Sequence, residues 1–221
     1  SMLLIRNGYI KPMSGPDIPD GSLLISDEGK IVALGEDLSV PADAQIIDAG
    51  GRLVTPGCID AHCHIGLDNE ACGWEGKDYN EIVDPITPQM RAIDSINPMD
   101  ESFPLALRGG VTTACTGPGS ANVLGGTFTA IKTVGKRVDS MIIAESVAMK
   151  CAFGESPKVC YRDKGNCTRM TTAYQLRNML FKAKEYAAKV DAAGDDASKK
   201  PPFDMKMEAL LPVIRKEMPL K

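Results

Sequence analysis

Short apolar runs separated by turn residues fill the first quarter of the chain. Two of these runs flank residues 27–30, whose Asp and Gly are typical of a hairpin turn. A loop with three prolines, residues 11–21, comes before them. The predicted strands are residues 2–10, 22–26, 31–35 and 45–49. The pattern therefore predicts a small all-β unit over residues 2–53.

At residue 54 the pattern changes to a short buried strand, residues 54–65, which contains His62 and His64. Since side chains alternate across a strand, both imidazoles point to one face and Cys63 to the other. Two imidazoles placed in this way can reach one metal ion at about 2.0–2.1 Å per nitrogen. These are the only histidines in the chain. The plainer alternative is two ordinary polar residues at a strand end.

Two loops follow predicted strands and are candidates for the site. Residues 66–97 lack clear periodicity and hold the only tryptophan, Trp74. Because loops after the strands build the active-site face of a β/α barrel, we expect a substrate-side loop or flap here. A second buried strand, residues 111–116, runs into residues 117–126 with four glycines. This turn is either a tight strand end or a nest for a substrate carboxylate or phosphate.

Helical spacing marks the last part of the chain. Residues 171–194 carry apolar positions at helical intervals, and Thr172 with Gln175 fits a capping box. Asp204 is a candidate cap for a final helix, which Pro212 should kink or split. A shorter helix is predicted over residues 98–108, and residues 219–221 read as the approach to another strand.

The third apolar run, residues 140–149, leads to charged side chains that a metal site could use. Glu155 follows the end of this run, and zinc accepts carboxylate oxygen at about 2.0–2.2 Å, so Glu155 is a candidate ligand. The alternative is a solvated carboxylate that pairs with Lys158. Glu145 is a further candidate on the same run.

Composition narrows the classes of partner. Hydrophobic residues make up 43% and charged residues 24% of the chain, as in ordinary globular proteins. A net charge of −4 argues against nucleic acid as a partner. No apolar run approaches the roughly 20 residues that span a bilayer, and no signal segment is recognised. Seven cysteines at irregular spacing predict free thiols and a cytoplasmic location.

Three segments carry a resemblance to a known family. Residues 50–64, which include the histidine pair, closely resemble the first barrel strand of the amidohydrolase superfamily. Residues 2–8 and 109–113 also look like that family. The branch that the chain most resembles is the imidazolonepropionase-like and N-acetylglucosamine-6-phosphate-deacetylase-like group. Members are metal-dependent hydrolases that act mostly on amide, cyclic-amide and other C–N bonds.

The resemblance implies an α/β fold with a partial TIM-type (β/α) barrel. Residues 54–221 would form the first half of the barrel, and residues 2–53 part of a composite β-sandwich. It also implies a divalent metal, with zinc expected, as one or two ions held by His62, His64 and Glu155. Some members use a carbamylated lysine on the fourth strand, which keeps Lys150 under consideration.

We therefore expect the N-terminal portion of a metal-dependent amidohydrolase that acts on a small-molecule amide or cyclic amide. No catalytic residue is assigned within the chain, because the family takes its water-activating aspartate and its other histidine ligands from strands beyond residue 221. The missing C-terminal half is an expected partner, as is a second copy in a homo-oligomer. The alternative is a non-catalytic scaffold that keeps the amidohydrolase fold; the intact histidine pair favours the enzyme.

Overall fold

A computed structural model describes all residues, Ser1–Lys221, and divides them into two compact units. The first unit is Ser1–Gly57 and the second is Cys58–Lys221. The sequence suggested a boundary after residue 53. The first unit extends a few residues further because the strand Leu53–Val54 pairs with the first strand of the chain.

The first unit is a single five-stranded sheet. Its strands are β1 (Leu3–Ile10), β2 (Ile18–Ile25), β3 (Ile31–Gly35), β4 (Gln45–Asp48) and β5 (Leu53–Val54). The order is β3-β2-β1-β4, with β5 also on β1. β2 and β3 form the predicted hairpin, closed by a hydrogen bond from Ser26 N to Lys30 O of 2.8 Å. Leu4, Ile10 and Leu24 provide its buried apolar contacts.

The second unit contains a four-stranded sheet and all five α-helices. Its strands are β6 (Cys58–Cys63), β7 (Val111–Thr116), β8 (Leu124–Lys132) and β9 (Ile142–Cys151), in the linear order β6-β7-β8-β9. β6 and β7 are parallel, whereas β8 is antiparallel to both of its neighbours. Residues 219–221 add parallel hydrogen bonds to β9, including Met149 N to Pro219 O at 2.9 Å. The fold is therefore mixed α/β, as predicted.

Strand β8 was not predicted from the sequence, in which its first residues were assigned to a glycine-rich turn. Both faces of β8 are covered, and polar and apolar side chains alternate only over residues 127–130. Thr127 and Thr129 lie buried among apolar neighbours, and Gly125 and Gly126 interrupt the apolar pattern. The strand signal in this segment is therefore short and follows directly on the glycine-rich turn.

The helices are α1 (Ser102–Arg108), α2 (Val138–Met141), α3 (Glu155–Cys160), α4 (Arg169–Ala193) and α5 (Met205–Ile214). The long helix α4 begins before the predicted start, because Thr168 is its cap and accepts a hydrogen bond from Thr171 N. Thr172 and Gln175 do not form the predicted capping box. Their side-chain oxygens instead accept hydrogen bonds from Asn166 Nδ2, at 3.0 and 2.9 Å.

Helix α5 begins at the predicted cap. Asp204 Oδ1 accepts hydrogen bonds from the backbone N–H groups of Lys206 and Met207. Pro212 does not split the helix, which continues to Ile214 and ends within a turn of the proline. Only the predicted split is contradicted: Pro212 stands in the last turn of α5, so little helix follows it that its missing N–H could separate from the rest.

Two apolar clusters stabilise the second unit. One lies between the sheet and helices α4 and α5, and includes Leu124, Met149, Ala183, Leu210 and Leu211. The other lies under the long loop after β6, and includes Leu67, Ile96, Phe103, Ile131 and Met141. No helix of the chain has both the length and the apolar character that crossing a bilayer would require.

Candidate metal centre

The histidine pair stands at the end of β6, as the sequence predicted. The His62 and His64 rings lie 5.8 Å apart between centroids, at an interplanar angle of 88°. Phe128 of β8 packs edge-on against His62 at 5.1 Å. Tyr79, from the loop after β6, stacks on His64 at 5.3 Å. Each imidazole is therefore in contact with one aromatic side chain, His62 with Phe128 and His64 with Tyr79.

A backbone carbonyl determines which nitrogen of His64 carries hydrogen. His64 Nδ1 lies 2.7 Å from the carbonyl oxygen of Gly117, at the end of β7. Because a carbonyl oxygen only accepts, Nδ1 must be the protonated nitrogen and Nε2 keeps its lone pair. Metal-binding histidines in general have their free N–H oriented in this way. His64 is therefore prepared to bind a metal through Nε2.

His62 is kept in its neutral form by its surroundings. Burial lowers the pKa of His62, and the charges of Lys150 and Lys221 lower it further. Asp60 opposes this effect, and its Oδ1 accepts a hydrogen bond from the backbone N–H of His62 at 3.1 Å. Asp60 therefore contacts the main chain of His62 and not its imidazole. A neutral imidazole is the form that binds a metal.

Lys150 and Lys221 are the cationic side chains that the structure brings to the histidine pair, and Lys150 is the buried one. Only 5% of Lys150 is exposed, and it takes part in no ion pair. Its Nζ lies 6.0 Å from the centre of the Phe128 ring, the same ring that contacts His62. Burial lowers the pKa of Lys150. An unpaired buried ammonium is costly, so this position favours a neutral amine or an anionic partner.

Glu155 and Glu145 lie in other surroundings. Glu155 is in the first turn of α3 with its side chain 83% exposed, and its carboxylate is 3.4 Å from Lys158 Nζ. Glu145 pairs with Arg91 at 2.9 Å. No group of three His, Cys, Asp or Glu side chains is positioned to hold a metal ion. The structure does not bring Glu155 together with the histidines, and its role as a ligand stays a prediction.

The glycines of residues 117–126 are explained by close packing. A Cβ at Gly117 would lie 2.3 Å from the Phe128 ring, and one at Gly119 would lie 2.1 Å from Asn80 Oδ1. The Gly119 N–H already donates to Tyr79 O at 2.6 Å. The turn therefore joins β7 to the loop after β6, which supports the first of the two interpretations made from the sequence.

The long loop after β6 is held in place by residues distant in sequence. The Tyr161 hydroxyl donates to the carbonyls of Glu81 and Asp84, at 2.6 and 3.1 Å. Asn122 Nδ2 donates to Thr87 Oγ1 at 2.7 Å. Sequence reasoning missed both Tyr161 and Asn122, because neither belongs to a local motif and their partners lie 80 and 35 residues away.

The comparisons with known proteins agree on one family. No protein-family model matches the sequence. An amidohydrolase of Hapsidospora irregularis, tasK, is 34% identical over 198 residues, which are 80% of this chain and 20% of that protein. An allantoinase of Enterococcus faecalis is 42% identical over 79 residues, which are 34% of this chain and 15% of that protein.

A solved structure matches almost the whole chain. The crystal structure of an amidohydrolase from Thermotoga maritima superposes with a TM-score of 0.92 at 38% identity, and the match covers 99% of this chain and 57% of that one. This chain thus spans just over half of the Thermotoga protein and a fifth or less of these two curated relatives. On these similarities and the histidine pair, the chain belongs to the amidohydrolase superfamily.

Proposed function

We propose that this chain is part of a metal-dependent hydrolase that cleaves an amide or cyclic-amide C–N bond of a small molecule. The observation that carries the proposal is the histidine pair, in which the Nδ1–H of His64 donates a hydrogen bond to Gly117 O. The relatives support the reaction class, since an allantoinase and amidohydrolases are among them.

The donor set fits a divalent ion of the zinc type. His62 and His64 offer two imidazole nitrogens, one kept neutral by its surroundings and the other oriented by a carbonyl. When bound, one or two such ions would polarise the scissile carbonyl and lower the pKa of a water molecule. The residues of this chain hold and orient the ligands: Phe128 packs edge-on against His62, and Tyr79 stacks on His64.

Two histidines do not complete a catalytic zinc site, which has three protein ligands and one open position. We propose Lys150 or Glu155 as the next ligand, and the position of Lys150 beside Phe128 and His62 supports the lysine. A carbamylated lysine supplies this ligand in some members of the superfamily. The remaining ligands and the general base would come from further strands of a longer polypeptide, in line with the 57% coverage of the Thermotoga chain.

The sheet itself supports an incomplete barrel. β6 lies at one end of the strand order, and Ile59 on it is 71% exposed, whereas residues 219–221 already extend the other end. We propose that further strands continue from both ends to close a (β/α) barrel. The seven free cysteines fit a reducing compartment, and we propose the cytoplasm.

Zinc affinity of the chain, measured by competition with a chromophoric chelator, tests the proposal. We expect His62→Asn and His64→Asn each to weaken zinc binding by roughly 100-fold, because each removes one of the few ligands. Lys150→Met and Glu155→Gln should separate the two candidates for the next ligand, with Glu145→Gln as a control carboxylate outside the site.

The same variants should be assayed for hydrolysis of N-acyl amino acids, dipeptides and cyclic amides in the polypeptide that carries the complete site. We expect either histidine variant to lose zinc-dependent turnover. Full turnover in His64→Asn would overturn the proposed role of the histidine pair. Absence of both zinc binding and turnover in the polypeptide that carries the complete site would overturn the hydrolase and favour a non-catalytic scaffold.

A further inference from the structure

The loop that leaves the histidine pair forms a hydrogen-bonded hairpin. Asp78 N donates to Leu67 O and Asn69 N donates to Gly76 O, both at 2.8 Å. At the tip is a 3-10 helix, Trp74–Gly76, in which Trp74 is 84% exposed. An exposed tryptophan is a large apolar surface left in water, here on a backbone tied by hydrogen bonds on both sides.

A cavity of about 360 Å³ lies against this hairpin. Among its apolar lining residues are Leu67, Trp74, Ile82, Met90 and Pro118. Three of them leave much of their side chains in solvent, since Trp74, Ile82 and Met90 are 84%, 51% and 40% exposed. Several large exposed apolar side chains around one concavity are typical of a ligand site.

The cavity and the candidate metal centre share one side chain as a common wall. Tyr79 lines the cavity and also stacks on His64 at 5.3 Å. A substrate group bound in the cavity would therefore be separated from His64, a candidate metal ligand, by the ring of Tyr79. Residues of the turn after β7, Pro118 and Gly125, form part of the wall.

Charges of both signs line the cavity: two cations, Lys77 and Arg91, and three carboxylates, Asp78, Glu81 and Asp94. Arg91 is already engaged by Asp94 at 2.8 Å and by Glu145 at 2.9 Å. Lys77 stands next to Asp78 at the base of the hairpin, and both line the cavity. Because no single sign of charge dominates, the surface best suited to bind a ligand is the apolar one around Trp74.

We propose that this cavity is the subsite for an aromatic ring carried by the substrate, with Trp74 packing on the ring and Tyr79 separating it from the metal centre. The proposal rests on the proposed hydrolase function and narrows its substrate class to amides with an aromatic substituent near the scissile bond. Offset or edge-on contacts between aromatic rings favour this class over a short aliphatic acyl group.

Trp74 makes the test direct, because it is the only tryptophan and its fluorescence reports on this cavity alone. The probes are hippurate, which carries a benzoyl ring, and N-acetylglycine, which replaces the ring by a methyl group and keeps the amide and the carboxylate. Both are titrated into the metal-free chain, so that the result does not depend on hydrolysis. We expect a saturable change in Trp74 emission with hippurate and none with N-acetylglycine over the same range.

Neighbouring residues supply a matched pair of variants. Ile82 lines the cavity and Val83 does not, and both are exposed, at 51% and 77%. Ile82→Asn should weaken hippurate binding roughly fivefold to tenfold, while Val83→Asn should leave it unchanged. Equal responses to the two probes, no response to hippurate, or equal effects of the two variants would overturn the subsite. Failure here with zinc binding by the histidine pair intact would leave the hydrolase proposal standing.

Discussion

At the scale of single residues, the two imidazoles of the histidine pair are held by different partners. His64 is fixed by a hydrogen bond to Gly117 O and by the ring of Tyr79. His62 rests against Phe128, and burial, followed by the charges of nearby lysines, lowers its pKa. Geometry thus fixes the orientation of His64, whereas the surroundings of His62 act on its pKa.

This difference predicts how His62 responds to pH. Since burial and then Lys150 lower its pKa, His62 should titrate below its usual value of about 6.5. The unfolded chain takes up this proton at a higher pH than the folded chain does. The free energy of unfolding should therefore fall as the pH drops through about 6.5, and level off below the pKa of the folded state.

The measurement is an NMR titration of the imidazole nitrogens in the metal-free chain. Lys150→Met should move the midpoint of His62 upward, towards the usual value, because it removes a nearby positive charge. Lys158→Met, at a residue paired with Glu155, serves as the control and should leave the midpoint in place. A midpoint that does not respond to Lys150→Met would contradict this account of His62.

At the scale of elements, the long loop after β6 is a fixed part of the second unit and not a free flap. Tyr161, which is fully buried, binds two of its carbonyls, and Lys206 pairs with Asp84 at 2.8 Å. These contacts connect the loop to the segments around α3 and α5. The hairpin that carries Trp74 extends from this anchored base.

Tyr161→Phe should therefore destabilise the chain by about 1–3 kcal/mol, because it leaves two carbonyl groups without their buried donor. The free energy of unfolding is measured by urea denaturation, and amide hydrogen exchange should become faster over residues 81–84. Tyr174→Phe is the control, since Tyr174 is 60% exposed on α4. Equal stability of the two variants would show that the hydroxyl of Tyr161 does not anchor the loop.

At the scale of the whole molecule, β6 is the exposed edge of the second sheet. Ile59 lies on it with 71% of its surface in solvent, next to β7 on one side only. Unpaired strand edges with apolar side chains pair readily with other chains. The sequence-based expectation of self-association therefore has a specific location in this unit.

We expect the chain to associate with itself in a concentration-dependent way, as measured by sedimentation velocity. Ile59→Lys should shift it towards the monomer, because a charged side chain on an edge strand opposes edge-to-edge pairing. Val134→Lys, at a residue 61% exposed outside the strands, is the control. If both variants associate as the unaltered chain does, the β6 edge is not the contact.

Several features of this protein could be predicted from short stretches of its sequence. The hairpin of the first unit, the cap of α5 at Asp204 and the adjacency of His62 and His64 follow from turn chemistry, capping and the two-residue period of a strand. The family also follows from local sequence, because residues 50–64 carry the histidine pair within a short continuous motif. Each of these features depends on residues close together in the chain.

Other features depended on residues brought together from distant parts of the chain. Strand β8 is covered on both faces, so polar and apolar residues alternate only over residues 127–130 and do not mark where the strand begins. Lys150 reaches the histidine pair through Phe128, whereas Glu155 turns away on α3, and sequence spacing does not separate the two. The neighbours of a side chain across a sheet depend on strand order and register. Strand order and register are set by long-range packing. This packing brings Lys150, and not Glu155, towards His62.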